Sequence, residues 1–127
     1  MSGPARAGLF IYAKEVASLA AFYKSLLGAD TRHRTEEMAV LQSPDIQLVI
    51  HQMPSDQGSG VAISHPPQRR ASALKFFFTV PNLTGAAAVA EKLGGGVDAE
   101  EWQGPGFVVR NGYDPEGNVF HLRETTT

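Results

Sequence analysis

The chain repeats itself, and the repeat limits what it can fold into. Phe10, Val16, Phe22 and Leu26 mark a strand followed by a helix. Phe77, Leu83, Val89 and Leu93 recur in the same order 67 residues later, and Gly28 meets Gly95 at that offset. Ser43-Pro44-Asp45 meets Asp114-Pro115-Glu116 at an offset of 71, so the second half carries about four more residues before its last hairpin. With 127 residues in all, the reading is one domain made by duplication.

The details follow the same order twice. Leu9 to Ala13 is a short apolar strand. Val16, Leu19, Ala20, Tyr23, Leu26 and Leu27 keep the spacing of one helical face, and Gly28 sits where a helix stops. Thr31 to Thr35 reads as an edge strand and Met38 to Leu41 as a second. Ser43-Pro44-Asp45 turns into Ile46 to Gln52, with Gln47, Val49 and His51 on one face and Leu48 and Ile50 on the other. After a Gly- and Pro-rich stretch, Leu74 to Val80 is a strand and Pro81 to Thr84 opens a helix that Gly94, Gly95 and Gly96 end. Val97 to Trp102 and Phe107 to Asn111 are strands. The last hairpin turns on Asp114-Pro115-Glu116-Gly117-Asn118, whose residues are suited to a tight turn. Its final strand alternates Phe120 and Leu122 with Val119, His121 and Arg123. The expected layout is a loose tail over 1–6, a βαβββ module over 7–53, a linker over 54–72 and a second module over 73–125.

Several classes of function are disfavoured. Zero cysteines exclude disulfides, thiol catalysis and thiolate metal sites; the absence fits the cytoplasm, though other compartments tolerate it too. A formal net charge of −2 gives no reason to expect nucleic acid or an anionic membrane as partner. No apolar run is long enough to span a bilayer, and Met1 to Ala7 lacks the pattern of a signal peptide. Gly94-Gly95-Gly96 follows a helix and is no phosphate loop. Glu36-Glu37 and Glu100-Glu101 are adjacent pairs, poor acid/base dyads if they lie on strands.

The helix segment Ala21-Phe22-Tyr23-Lys24-Ser25-Leu26-Leu27-Gly28, together with the terminal Asp114-Pro115-Glu116-Gly117-Asn118-Val119-Phe120-His121-Leu122, resembles the vicinal-oxygen-chelate superfamily of glyoxalases, bleomycin-resistance proteins and extradiol dioxygenases. The resemblance runs from about Gly8 to Glu124. It implies an α+β fold of two βαβββ modules, curled mixed sheets around a cup-shaped cavity, helices on the convex side, and commonly a homodimer. It also implies a divalent metal in many members, held by the first and last strands of each module. Those positions fall here on Gly8, Val49 (Gln47 or His51 in a shifted register), Lys75 and His121. Glycine offers no donor and an ammonium no lone pair, so His121, with His51 or Gln47, is all that remains for a metal, and no cofactor is expected.

On the implied cup, alternation points Phe10 and Tyr12, then Gln47, Val49 and His51, then Lys75, Phe77 and Thr79, then Val119, His121 and Arg123 inward, with Trp102 and Phe107 near the rim. Aromatic rings under cationic or titratable groups suit a flat or apolar ligand with an anionic oxygen. Lys75 is either a ligand anchor or base, or a lysine that snorkels or pairs with a carboxylate. His121 is a general base, a ligand contact or a hydrogen-bonded cavity histidine. Arg123 is an anion clamp or a solvated terminal residue; His65, Arg69 and Arg70 form a lid or solubilise a loop. Three function classes stand: a metal-free binding protein of the bleomycin-resistance type; a divalent-metal lyase, isomerase or dioxygenase; and metal-free acid/base catalysis by Lys75 and His121.

Overall fold

The structure of the chain, a computed structural model, describes residues 7–54, 63–69 and 72–126. The expected 1–6 tail and most of the 54–72 connection, Arg70 included, lie outside the described residues. The chain divides into two compact units, Met1–Ala62 and Ile63–Thr127, and each is a βαβββ module.

In the first unit β1 (Gly8–Ala13) leads into α1 (Val16–Leu27), followed by β2 (Asp30–Arg34), β3 (Met38–Gln42) and β4 (Gln47–Gln52). The sheet order is β1-β4-β3-β2, with β1 parallel to β4 and the other pairings antiparallel. Parallel pairing of β1 with β4 requires a crossover, which the helix supplies. The apolar stripe of α1 buries Val16, Leu19, Phe22, Tyr23 and Leu26, while Ile11, Ala13, Ala39, Leu41, Leu48 and Ile50 are the buried residues of the sheet. Gly28 ends α1 in the left-handed region at φ 61°, where a side chain would be strained, and the Ala29 N–H donates to the Lys24 carbonyl at 3.0 Å.

The second unit repeats the topology with β5 (Phe77–Thr79), α2 (Leu83–Lys92), β6 (Gly96–Gly104), β7 (Phe107–Tyr113) and β8 (Val119–Thr125), in sheet order β5-β8-β7-β6. Asn82 caps α2, its Oδ1 accepting from the Gly85 N–H at 2.6 Å. Glu124 reaches the same end from β8 and accepts from the Leu83 N–H at 2.7 Å. That carboxylate satisfies one of the four N–H groups a helix start leaves open, at the end where the dipole favours negative charge.

The first strand of this unit is shorter than the expected Leu74 to Val80. Leu74 and Phe76, within that expected strand, are 70% and 39% exposed and precede β5, whereas Phe78 is buried. The Phe76 carbonyl still accepts from the His121 N–H at 2.8 Å, so the contact to β8 begins just before the regular ladder. Apolarity there outruns the residues that the fold can cover. The last hairpin is longer than expected, reaching Tyr113 on one side and Thr125 on the other.

Candidate functional site

In each sheet the face not buried in the core collects most of the side chains that alternation pointed inward. In the second unit Phe77 pairs with His121, Thr79 with Arg123, Asn111 with His121, and Val109 with both Arg123 and Trp102. Phe77, His121, Arg123, Phe107, Asn111 and Trp102 therefore share one face of the sheet.

Arg123 is the centre of this group. Its guanidinium carbon lies 3.7 Å from the centroid of Phe77 and 4.1 Å from that of Phe107, so the planar cation is held between two rings. Its Nε is buried without a hydrogen-bond partner, and among the described residues it has no carboxylate partner. A solvated terminal arginine does not sit this way. Lys75, just ahead of β5 and exposed, is not the mid-strand lysine the sequence implied. Its ammonium finds no described carboxylate; the partner is the Asn111 side-chain oxygen at 3.4 Å. Burial, with the charges of Lys75 and Arg123 beside it, holds the His121 imidazole below its ordinary value of 6.5. The group is thus electropositive. Trp102 is 42% exposed and Thr79 is exposed at the end of β5.

In the first unit the face opposite the core collects different side chains. The ring centroids of Phe10 and Tyr12 are 5.1 Å apart, those of Phe10 and His51 5.9 Å, and those of Tyr12 and His51 6.3 Å. They line an open cavity of about 420 Å³ with Glu37, Gln52, Met53 and Pro54. Gln47 stands apart from this cluster and donates to the Gln42 side-chain oxygen at 3.1 Å; Val49 is half-buried between.

Two groups escaped the sequence reading. Asn111 was legible in principle, since it alternates with Phe107 and Val109 on β7. Glu37 was seen only as half of an adjacent acidic pair; what places it is the backbone bond from the Gln52 N–H to its carbonyl at 2.7 Å, a contact no local pattern encodes. Arg69, read as part of a lid or solubilising loop, instead pairs with Asp98 (Nη1 to Oδ2, 2.9 Å) and lies 4.8 Å over Tyr113. It is thereby tied to the second module. Gly117 is where that loop meets the last turn: at φ 83° it faces the Gln68 carbonyl so closely that a Cβ would overlap it.

The pairing also tests the implied metal positions. Phe10 pairs with Val49 and Phe77 with His121, and the repeat equates Phe10 with Phe77, so Val49 is the counterpart of His121. The four positions are then Gly8, Val49, Lys75 and His121, with one lone-pair donor among them. A Cβ at Gly8 would stand 2.8 Å from the Gln47 carbonyl oxygen, leaving no room for a donor without a shift of β4. Among the described residues no three His, Asp or Glu side chains group together. The residues present do not fit the metal centre that the resemblance implies.

A family profile described as a glyoxalase-like domain matches residues 8–123. No curated protein matches the sequence significantly. Solved structures share the fold. One is a glyoxalase/bleomycin resistance protein/dioxygenase family enzyme from Burkholderia phytofirmans PsJN, 15% identical, aligned over 96% of this chain and 99% of that one with a TM-score of 0.72. The bleomycin resistance determinant encoded on the transposon Tn5 is 22% identical over 98% of this chain and 100% of its own, with a TM-score of 0.63. A bleomycin-binding protein complexed with bleomycin is 18% identical over 96% and 99%, with a TM-score of 0.60.

Proposed function

The chain belongs to the glyoxalase-like domain family, and from that premise we propose that it binds, without a metal, a small aromatic or apolar molecule bearing a carboxylate or similar anionic oxygen. The observation that carries this reading is Arg123, stacked between Phe77 and Phe107 with a buried, unpaired Nε and no carboxylate partner among the described residues. A buried donor without an acceptor is costly. A carboxylate lying edge-on to the guanidinium would supply two acceptors in the geometry arginine favours. Lys75 and His121 add donors beside it, and Phe77, Phe107 and Trp102 offer apolar surface to the rest of the ligand. The metal-free part rests on the donor set, which holds one lone-pair donor in four positions. The bleomycin complex of a relative is a precedent for a small molecule on this fold. The family resemblance further supports a homodimer, and the cysteine-free sequence fits a cytoplasmic protein.

The test uses Trp102, the chain's single tryptophan, as a fluorescent reporter. Titration with 2-naphthoate and with its neutral analogue 2-naphthamide separates charge from apolar contact. The acid is expected to bind at least tenfold tighter, in line with the ~1.5–3 kcal/mol of a hydrogen bond to a charged group. Equal affinities would overturn the proposal.

A further inference from the structure

We propose that the ligand of the second module carries two anionic groups at opposite ends of one flat ring, with Arg123 receiving the first and Lys75, held by Asn111, the second. The inference rests on the anion reading above and supplies the ligand's other end. Its observation is the register of β7 on β8. Arg123 stands opposite Val109 and His121 opposite Asn111. The two stations therefore lie two residues apart along the strands, about 7 Å at the rise of an extended chain. That is the span of a benzene ring with a carboxylate at each end. Carboxylates on adjacent ring carbons are too close together to reach both stations.

Charge decides between a one-headed and a two-headed ligand. Among the described residues neither Arg123 nor Lys75 has a carboxylate partner. Burial first, and then the two cations, lower the pKa of His121, so both charges bear on one place and repel each other there. A single carboxylate at Arg123 leaves the ammonium unmatched; a second one matches both. Asn111 gives that ammonium a fixed address. A lysine stem is flexible and its head has three donors. Asn111 Oδ1 takes one of them at 3.4 Å, which leaves two for a ligand. The ring has a surface to lie against as well. Phe77, opposite His121, stays 53% exposed although the Arg123 guanidinium covers one of its faces at 3.7 Å. Open aromatic surface beside both stations favours a ring over a flexible chain of the same length.

The probes are terephthalate, its ortho isomer phthalate, and 4-methylbenzoate, which replaces one carboxylate of terephthalate by a methyl group. Calorimetry on the full chain at neutral pH measures the affinities. Terephthalate is expected to bind roughly tenfold tighter than either of the others, the factor of one charge-assisted hydrogen bond. Phthalate carries the same charge as terephthalate, so it separates spacing from bulk attraction. Lys75→Met removes the second station. Asn111→Asp keeps the side-chain size but gives Lys75 a carboxylate of its own. Each is expected to remove most of the advantage of terephthalate over 4-methylbenzoate, with circular dichroism confirming the fold. Terephthalate no tighter than 4-methylbenzoate or phthalate, or an advantage that persists in either folded variant, would overturn the proposal. The anion reading itself fails on a different result, equal binding of 2-naphthoate and 2-naphthamide.

Discussion

At the residue scale, the chemistry of the second module turns on how one arginine is held. A guanidinium between two rings has lost hydration on both faces and keeps only its edge for polar contact, which makes it selective for planar anions. Arg123→Lys retains charge but not the stack or the fork, and is expected to weaken naphthoate at least tenfold with little effect on naphthamide. Fluorescence titration of both ligands checks this, and a uniform loss for both would point to damage of the apolar surface instead. His121 makes the site sensitive to pH. Its folded pKa lies below the unfolded value of 6.5, so between the two the unfolded chain holds more protons. Stability is full above about 6.5 and falls as the pH drops through that value toward the folded pKa. Thermal melts from neutral to mildly acidic pH should show a steeper acid loss for the wild type than for His121→Gln; parallel profiles would contradict it. A bound carboxylate offsets the charges of Lys75 and Arg123 and favours the imidazolium, so naphthoate affinity should rise as the pH falls into the range where His121 takes up its proton.

At the scale of elements, the closing turn and the start of α2 hold β8, and with it the site, in place. Asp114 is fully buried and accepts from the Glu116 N–H at 2.8 Å, the Asn118 N–H at 3.0 Å and the Asn118 side-chain amide at 2.8 Å. Removing it strands buried donors, so Asp114→Ala is expected to cost about 3 kcal/mol and lower Tm by roughly 10 °C. Asn82→Ala, which removes a cap at the more exposed helix start, should cost about 1 kcal/mol. Calorimetry of the two variants tests the order; an Asp114 effect no larger than the Asn82 one would show that the turn is held by its backbone alone. The turn was legible in the sequence, because Asp, Pro, Gly and Asn act on their own neighbours. The support of α2 by Glu124 was not, because it joins residues 41 positions apart.

At the scale of the whole molecule, the proposal makes two physical predictions. Light scattering should give about 27 kDa, twice the 13.6 kDa of the chain, and a mass near 13.6 kDa would remove the homodimer. Melts with Mn, Ni, Zn and Fe(II) should leave Tm unchanged, since one lone-pair donor in four positions gives little differential affinity for the folded state; a clear rise with any of them would overturn metal-free binding. Among the described residues no helix is long and apolar enough to cross a membrane.

The sequence by itself determined the duplicated βαβββ order, the helix stops, the turn at Asp114 and which side of β1, β4 and β8 faces away from the core. All of these depend on residues a few positions apart, where dihedral preference and the periods of 2 and 3.6 act directly. Tertiary structure decided where β5 begins, that Val49 is the counterpart of His121, that Arg123 lies between Phe77 and Phe107, and that Glu37 joins Phe10, Tyr12 and His51. Each depends on register between strands far apart in the chain. Alternation assigns a residue to a face, but only the pairing of strands brings particular residues together on it.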